Sequence, residues 1–312
     1  NDWKKATELL DTILAQDPDN HELLRQSMVL AAGSGQHALA AERARHLIAI
    51  DPNDSLASLI LATDTLANGK YDDSLKVIAA MPKGDMTDFV VPLLEGWANA
   101  GKKIYKPEAL KGTTIHAWHG ALIALYLKRP PQDVFSFAET ILAPSGLTAE
   151  EVERAADLMS VSGHQQDAIN IYKALQSQKG GSDLLAKKIA MAEKGEDVKS
   201  VVPAFRVDSP ATGAAMAIYD LARILYQEKS DVSARVFAEM ALHLDPDLVS
   251  ARILIASSYA RSGQIDAALE QYKVIPEDNP DFIDVQHASA ELLYENNRMD
   301  EAVTLLTALY EK

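Results

Sequence analysis

The chain has 312 residues, a formal net charge of -15 and no cysteine. The acidic balance disfavours a nucleic-acid backbone as partner, because phosphate binding needs clustered lysine and arginine. The lack of cysteine excludes disulfides, thiol catalysis and thiolate zinc sites. Hydrophobic residues make up 47% of the chain and aromatic residues only 6%, which is typical of helices packed through alanine and leucine. No apolar run is long enough to span a membrane.

Proline and glycine residues recur at a fixed interval along the chain. The pairs that lie 34 residues apart are Pro18 and Pro52, Gly35 and Gly69, and Pro246 and Pro280. A period of this length is typical of an array of helix pairs, because such units cannot bury their apolar faces alone and stack on their neighbours. The sequence therefore predicts an all-α fold that serves binding or scaffolding.

Interruptions of this rhythm divide the chain into four predicted segments. Regular repeats occupy residues 1–100, irregular helical repeats occupy 101–147, a regular repeat and a further helix occupy 148–200, and regular repeats return over 201–312 after an extended connector. Asn1 falls at the turn inside a helix pair and Lys312 at the end of a second helix. We therefore expect flanking sequence outside this chain.

The first segment contains a candidate groove and a false nucleotide motif. The outward face of its first helices carries Arg25, Gln26, Val29, Leu59, Thr63 and Leu66. This apolar face would accept a helix or an extended hydrophobic segment, and packing against a missing terminal helix explains it equally well. The sequence Gly33-Ser34-Gly35-Gln36-His37-Ala38 fits a nucleotide fingerprint, but an amphipathic helix precedes it where the fingerprint needs a strand.

The second segment is irregular because prolines and glycines arrive where a regular unit would continue. The pattern over residues 101–145 nevertheless stays helical, as in His116–Lys128, and predicts two distorted helix pairs. His116 and His119 lie three residues apart and would face one metal ion only with a third ligand, so we interpret them as packing residues. A locally basic patch over residues 101–150 is interpreted as a solvated surface rather than a site for an acidic partner.

The third segment restarts the rhythm at a helix-capping signal. Thr148 and Glu151 have the spacing of a capping box. Helix periodicity is then lost from Lys194 to Gly213, where Pro203 and Pro210 predict an extended connector and a boundary near residue 200.

The last segment holds the clearest unit, Leu248–Pro280. Two amphipathic patterns flank a short turn, in which Gly263 is expected to take a positive φ and end the first helix. Pro280 is expected to stop the second helix, because a residue before proline is pushed out of helical geometry. His243, near the end of an earlier helix, is interpreted as a partner of the helix dipole.

These positions resemble the tetratricopeptide repeat, in which small residues stand where helices touch and larger ones stand beside them. Gly35, Gly69, Gly163 and Gly263 share one turn position. The second-helix stripe recurs as Ala6, Leu10 and Ile13; Ala40, Ala44 and Leu47; Ala168, Tyr172 and Leu175; Ala234, Ala238 and Ala241; Ala268, Tyr272 and Ile275; and Ala302, Leu306 and Leu309. Seven units cover about three quarters of the chain, and the degenerate repeats resemble those of bacterial proteins, some associated with the cell envelope.

The resemblance implies a right-handed α-solenoid, a superhelix of antiparallel helix pairs whose first helices line the concave face. The candidate partner-binding residues on that face are Tyr219, Arg223, Tyr226, Ser257, Arg261, His287 and Tyr294, with Glu291 between the last two. Tyrosine and arginine are frequent at binding hot spots. Arg223 and Arg261 would hold an acidic side chain or a carboxylate through forked hydrogen bonds; alternatively, they pair with acids of adjacent repeats. The Lys/Asn arrangement of the carboxylate-clamp subfamily is not reproduced.

The sequence favours a non-catalytic scaffold that binds a protein or peptide segment. The alternative is a structural module that associates with other copies through its solenoid ends, where apolar surface is left uncapped. No nucleophile elbow, phosphate loop or paired-carboxylate pattern indicates an enzyme, and nothing in the sequence predicts a cofactor or a metal site. The compartment stays open: absence of cysteine suits a bacterial periplasmic protein, and the cytoplasm is equally compatible.

Overall fold

A computed structural model describes residues 2–179 and 182–311, and within these ranges the chain forms α-helices and no strand. In chain order the helices are α1 (Asp2–Leu14), α2 (His21–Gly33), α3 (His37–Ile50), α4 (Ser55–Ala67), α5 (Tyr71–Ala80), α6 (Asp85–Gly101), α7 (Thr114–Tyr126), α8 (Pro131–Leu142), α9 (Ala149–Val161), α10 (Gln165–Lys179), α11 (Asp183–Glu193), α12 (Pro210–Gln227), α13 (Asp231–Leu244), α14 (Val249–Arg261), α15 (Ile265–Lys273), α16 (Phe282–Glu295) and α17 (Met299–Tyr310). The predicted all-α class is confirmed. None of the described helices is both long and apolar enough to cross a bilayer. The predictions about Asn1 and Lys312 concern residues outside the described ranges.

In each helix pair, the residue two positions after the end of the first helix takes a left-handed backbone conformation. The predicted turn glycines take this conformation, with φ between 69° and 90° at Gly35, Gly69, Gly163 and Gly263. Four other turns place a larger residue there: Lys103, Lys128, Lys229 and Asn297, with φ between 54° and 62°. Left-handed geometry costs a non-glycine residue about 1–2 kcal/mol. Each of these four turns is closed by a local backbone hydrogen bond of the helix C-terminus, as from the Ile104 N–H to the Asn99 carbonyl at 2.9 Å, which offsets part of that cost.

The helices fall into two compact units. One combines residues 1–67 with residues 218–312, and we call it the joined unit; the other comprises residues 68–217, and we call it the middle unit. The four segments predicted from the rhythm follow sequence irregularities rather than compactness, and their boundaries stay a prediction. Within the joined unit, α13 packs against both α2 and α4.

The irregular part of the middle unit contains fewer helices than expected. Two distorted helix pairs were predicted over residues 101–145, but α7 and α8 form one pair there, preceded by a 3-10 helix at Glu108–Leu110. Pro107 and Gly112 flank that short helix and disfavour a longer one. The helix predicted within His116–Lys128 is confirmed as α7. Helix α8 starts with Pro131, and proline is tolerated there because the first residue of a helix does not use its backbone N–H in a helical hydrogen bond.

Local signals at other helix ends are partly confirmed. Thr148 and Glu151 form the predicted capping box at the start of α9. The connector predicted over Lys194–Gly213 is shorter than expected, because α12 already begins at Pro210. Residues 194–209 contain only a 3-10 helix at Pro203–Phe205. Proline is tolerated at the first position of a helix, where its missing backbone donor is not needed. The prediction that Pro280 ends the preceding helix is wrong, because α15 already ends at Lys273. Pro276 disfavours helical geometry at Ile275, which is buried just beyond the helix.

A buried ion cluster joins α9, α10 and α11 in the middle unit. The Lys188 ammonium donates to Asp157 at 2.9 Å and to Glu153 at 2.7 Å, and the Tyr172 hydroxyl donates to Asp157 at 2.7 Å. Lys188 and Asp157 are each 3% exposed. Burial raises the pKa of Asp157, while Lys188 and Tyr172 oppose that shift by stabilising the carboxylate. The Lys188 ammonium and the carboxylates of Glu153 and Asp157 therefore compensate one another's charge and hold the three helices together.

Removing the cation from this cluster should destabilise the middle unit. Lys188→Met leaves the buried carboxylate of Asp157 without a counter-charge, and we expect a loss of about 3–5 kcal/mol in the free energy of unfolding. Urea denaturation followed by circular dichroism measures it. The matched control is Lys187→Met at the neighbouring exposed position, which should change stability by less than about 0.5 kcal/mol. Equal effects of the two substitutions would contradict the buried ion cluster.

Candidate functional site

The predicted partner-binding residues lie on α12, α14 and α16 of the joined unit. Tyr226, Ser257 and Arg261 line one cleft of about 490 Å³, together with Glu291 and Glu295. We call it the α14–α16 cleft. Its remaining lining residues are Ala260, Gly263, Ile265, Tyr272, Ala288, Leu292 and Asn296. The structure thus brings three of the seven predicted residues together, and the cleft combines apolar walls with polar groups, as binding sites commonly do.

Arg261 is fixed in place at the protein surface by three interactions with neighbouring groups. Its guanidinium donates to Asp231 at 2.8 Å and to the Tyr226 carbonyl at 3.3 Å. It also stacks on the Tyr226 ring, with 3.7 Å from the guanidinium carbon to the ring centroid. Because Asp231 already compensates its charge, an acidic ligand would have to displace that carboxylate. Arg261 therefore forms a wall of the cleft.

Arg223 also lies beside an acid of its own helix. Its guanidinium is 3.7 Å from the carboxylate of Asp220, which is 4% exposed. Arg223, Asp220 and Tyr219 take part in further interactions within the protein. The geometry of Arg261 agrees with the alternative of pairing with an acid of an adjacent repeat, whereas the acid beside Arg223 belongs to its own helix. The role of both arginines in binding a partner stays a prediction.

The two predicted residues of α16 lie outside the cleft. His287 approaches Tyr310, with 3.4 Å between its Nε2 atom and the tyrosine hydroxyl. Tyr294 is 59% exposed and is available to a partner along the same helix. Their assignment to partner binding also stays a prediction.

Tyr272 and Glu295 are among the members of the cleft that sequence reasoning missed. Tyr272 was assigned to the packing stripe alone, yet it also lines the cleft. Glu295 follows Glu291 by one helical turn on α16, and that spacing places the two carboxylates on one face. The sequence could have indicated Glu295, because it lies four residues after Glu291 and therefore on the same face of a helix. With Arg261 neutralised by Asp231, the two glutamates give the cleft a net negative charge.

The α4 half of the face predicted for the amino-terminal repeats is covered by the chain itself. Leu59, Thr63 and Leu66 on α4 are at most 1% exposed, and α13 packs on α2 and α4. The α2 half stays accessible, because Arg25 and Gln26 are exposed and Val29 is half-buried. Neither a bound external segment nor a missing terminal helix is needed to explain the apolar residues of α4. The sequence could not reveal the cover, because α13 is far away along the chain.

One arginine of α13 anchors this packing. The Arg235 guanidinium lies 3.6 Å from the ring centroid of Trp3 on one side and 4.6 Å from that of Tyr259 on another. Arg235 is 3% exposed, and a desolvated cation on an aromatic ring contributes about 2 kcal/mol or more. Trp3 in turn lies on Gly33, where an added Cβ atom would be 2.1 Å from a ring carbon. The amino-terminal α1 and α2 are thus fixed to α13.

Two titratable groups of the same packing region have strongly shifted pKa values. Burial raises the pKa of Glu239 to about 7, although Arg252 and Arg235 oppose the shift. Burial and the neighbouring His243 lower the pKa of His37 to about 4. The rings of His37 and His243 stack with 4.6 Å between their centroids. His243 also lies 3.2 Å from the Asp64 carboxylate of α4. His243, interpreted from the sequence as a helix-dipole partner, therefore makes tertiary contacts as well.

The paired histidines of α7 belong to the core of the middle unit. His116 Nε2 is 2.8 Å from the Phe89 carbonyl, and the Trp97 indole donates to His119 Nδ1 at 3.2 Å. His116 is 4% exposed and His119 is fully buried. Across the described residues no group of three His, Cys, Asp or Glu side chains is placed to hold a metal ion. Packing and hydrogen bonding account for both imidazoles.

Residues 225–292, which include most of the α14–α16 cleft, match the family model of the tetratricopeptide repeat. These residues form tetratricopeptide repeats. Within them, the resemblance drawn from the turn glycines and the alanine stripes is confirmed. The match covers α13, α14 and α15 and the adjoining parts of α12 and α16, so the α13 that closes the joined unit is itself part of a tetratricopeptide repeat. No curated protein matches the chain.

The chain is similar, at low identity, to chains in several solved structures. A chain in the structure of Naa15/Naa10 bound to HypK-THB is 13% identical, with a TM-score of 0.37, over 98% of this chain and 60% of that one. The P58(IPK) TPR domain is 14% identical, with a TM-score of 0.30, over 100% and 96%. Yeast Tom70 is 10% identical, with a TM-score of 0.28, over 98% and 88%. This chain spans 60% of the first of these proteins, and at such low scores none supports a functional conclusion.

The raised pKa of Glu239 predicts how stability depends on pH. Above about pH 4.5 the unfolded chain ionises this group freely, whereas the fold keeps it protonated until about pH 7. The cost of the raised pKa therefore accumulates between these two pH values and is fully present above about pH 7. Glu239→Gln should therefore increase the free energy of unfolding on the order of 3 kcal/mol at about pH 8 and change it little at about pH 4. Denaturation at both pH values measures this difference.

The control for this experiment is Glu228→Gln, which removes a carboxylate from an exposed position just after α12. It should show no comparable trend with pH. A Glu239→Gln variant that is no more stable than the wild type at about pH 8 would contradict the assigned burial of the charge.

Proposed function

We propose that this chain is a non-catalytic scaffold that binds a segment of a partner protein at the α14–α16 cleft. The observation that carries the proposal is an open cleft on the first helices of tetratricopeptide repeats, lined by Tyr226, Ser257 and two carboxylates. Repeats of this kind present extended surfaces for protein recognition. Tyr294, exposed on the same helix as Glu291, extends the surface beyond the cleft.

The distribution of shifted pKa values supports binding over catalysis. Catalytic acids and bases are usually tuned within an accessible cleft. Here Glu239 and His37 lie where α13 meets the amino-terminal repeats. Asp157 and His116, whose pKa values are also shifted, lie in the middle unit. None of these four groups lines the α14–α16 cleft.

The shape of the cleft favours a short extended segment or a single anchoring side chain. About 490 Å³ accommodates side chains between α14 and α16, whereas a whole helix about 10 Å wide needs a longer groove. The stacked Tyr226 and Arg261 form a rigid wall. Rigid aromatic walls lower the ordering cost of binding.

Affinity capture with a variant of the cleft tests this function. The full chain, its double variant Tyr226→Ala and Tyr294→Ala, and a control variant Val232→Ala are used as parallel baits, with quantitative mass spectrometry. Val232 is 55% exposed and lies outside the cleft. We expect at least one protein to be retained by the wild type and the control and to fall about tenfold or more on the double variant, as loss of a hot spot predicts. Equal recovery on all three baits would contradict the proposal.

Self-association remains a second prediction from the sequence. The end helices do expose apolar side chains, namely Leu9 and Ile13 on α1 and Met299, Val303 and Tyr310 on α17. Exposed apolar stripes on terminal repeats favour contact with another surface. Sedimentation over a range of protein concentrations distinguishes a monomer from such an assembly.

A further inference from the structure

We infer that the α14–α16 cleft recognises a lysine or arginine side chain, so that the partner segment is basic. This inference rests on the proposed function and narrows the class of partner. It reverses the sequence-based hypothesis in which Arg223 and Arg261 hold an acidic segment. The argument has three steps: which charges in the cleft are already compensated, which are not, and what ligand chemistry complements them.

The positive charge at the cleft is already used within the protein. Arg261 is 2.8 Å from Asp231 and stacks on Tyr226. Charge-assisted hydrogen bonds of this length are among the stronger polar contacts of a protein. An incoming carboxylate would compete with Asp231 for the same donors, so the cleft offers it little.

The negative charge at the cleft has no such partner within the described residues. Glu291 and Glu295 are exposed and lie one turn apart on α16. No ion pair joins either of them to a described basic group. Like charges at this spacing destabilise a helix by about 0.2–0.5 kcal/mol. Glu295 is also the last residue of α16, where the helix dipole favours cations.

These two glutamates are therefore unfavourable for their own helix. The comparable end of α14 carries Arg261, which suits the dipole. Fold stability does not explain why α16 ends in paired carboxylates beside an open cleft. Recognition of a cation from outside does explain it, because the ligand supplies the missing counter-charge.

The walls of the cleft suit the stem of a basic side chain. Ile265, Leu292 and Ala288 line it beside the carboxylates. Lysine and arginine bury an aliphatic stem along apolar surface and keep the charged head at a polar rim. The net charge of -15 further accelerates the approach of a basic segment. The complementary ligand is thus an extended basic peptide.

A random peptide library displayed on phage is the probe for this inference. It is selected on the full wild-type chain, and one enriched peptide is synthesised for affinity measurements. We expect lysine and arginine to be enriched over aspartate and glutamate. The affinity of the chosen peptide should fall about tenfold or more on the double variant Glu291→Gln and Glu295→Gln, because charge-assisted hydrogen bonds are lost.

Two controls make the outcome specific to the cleft. The double variant Asp247→Asn and Asp278→Asn removes the same charge at exposed positions in turns between repeats, and the affinity should change less than about twofold, as for rim or remote charges. Ser257→Trp fills the cleft with a large side chain and should abolish binding. Circular dichroism of each variant verifies that it is folded.

The possible results separate this inference from the proposed function. The inference is wrong and the proposed function stands in two cases. In the first, the enriched peptides are neutral or acidic and Ser257→Trp blocks their binding. In the second, the Glu291→Gln and Glu295→Gln double variant leaves the affinity of a basic peptide unchanged while Ser257→Trp blocks its binding. If both double variants weaken binding equally, net charge alone attracts the peptide and the inference is wrong. If no peptide is enriched, or if Ser257→Trp does not block binding, both proposals fail.

Discussion

The packing of α13 on α2 and α4 is the constraint on which the joined unit depends. In a regular repeat array each unit contacts its neighbours in sequence, but here residues 218–312 are compact with residues 1–67. The buried Arg235 between Trp3 and Tyr259 anchors this contact. Because it covers the apolar face of α4, the amino-terminal first helices contribute packing surface, and α14 and α16 retain the open cleft.

Charged groups have different roles in different parts of the protein. Lys188 and its carboxylates fix α9 to α11 inside the middle unit. Glu239 and His37 lie where α13 is packed, and their shifted pKa values follow from that burial. Glu291 and Glu295 remain exposed at the cleft. Buried charge that is compensated holds helices together, whereas exposed charge without a partner is available for recognition.

Local signals were sufficient to predict most helix pairs but not their long-range packing. The turn glycines, the capping box at Thr148 and the helix within His116–Lys128 could be read directly, because each depends on neighbouring residues. Four further turns have the same geometry without a glycine, so the glycine interval could not reveal them in the sequence; they lie at Lys103, Lys128, Lys229 and Asn297. For the candidate cleft, helix periodicity and the repeat resemblance placed Tyr226 of α12 and Ser257 and Arg261 of α14 on the face that was predicted to be concave. The pairing of Arg261 with Asp231 depends on a neighbouring repeat and had no unique signal in the sequence.

Cross-linking between α4 and α13 tests the joined unit most directly, and the absence of native cysteine makes it specific. Asp64 and His243 approach within 3.2 Å. A double variant Asp64→Cys and His243→Cys, treated at high dilution with a short bifunctional maleimide, should give a cross-link within one chain that peptide mapping locates at these two positions. Each single variant should give none. A folded double variant whose two cysteines are both modified but never joined to each other would contradict the packing of α13 on the amino-terminal repeats.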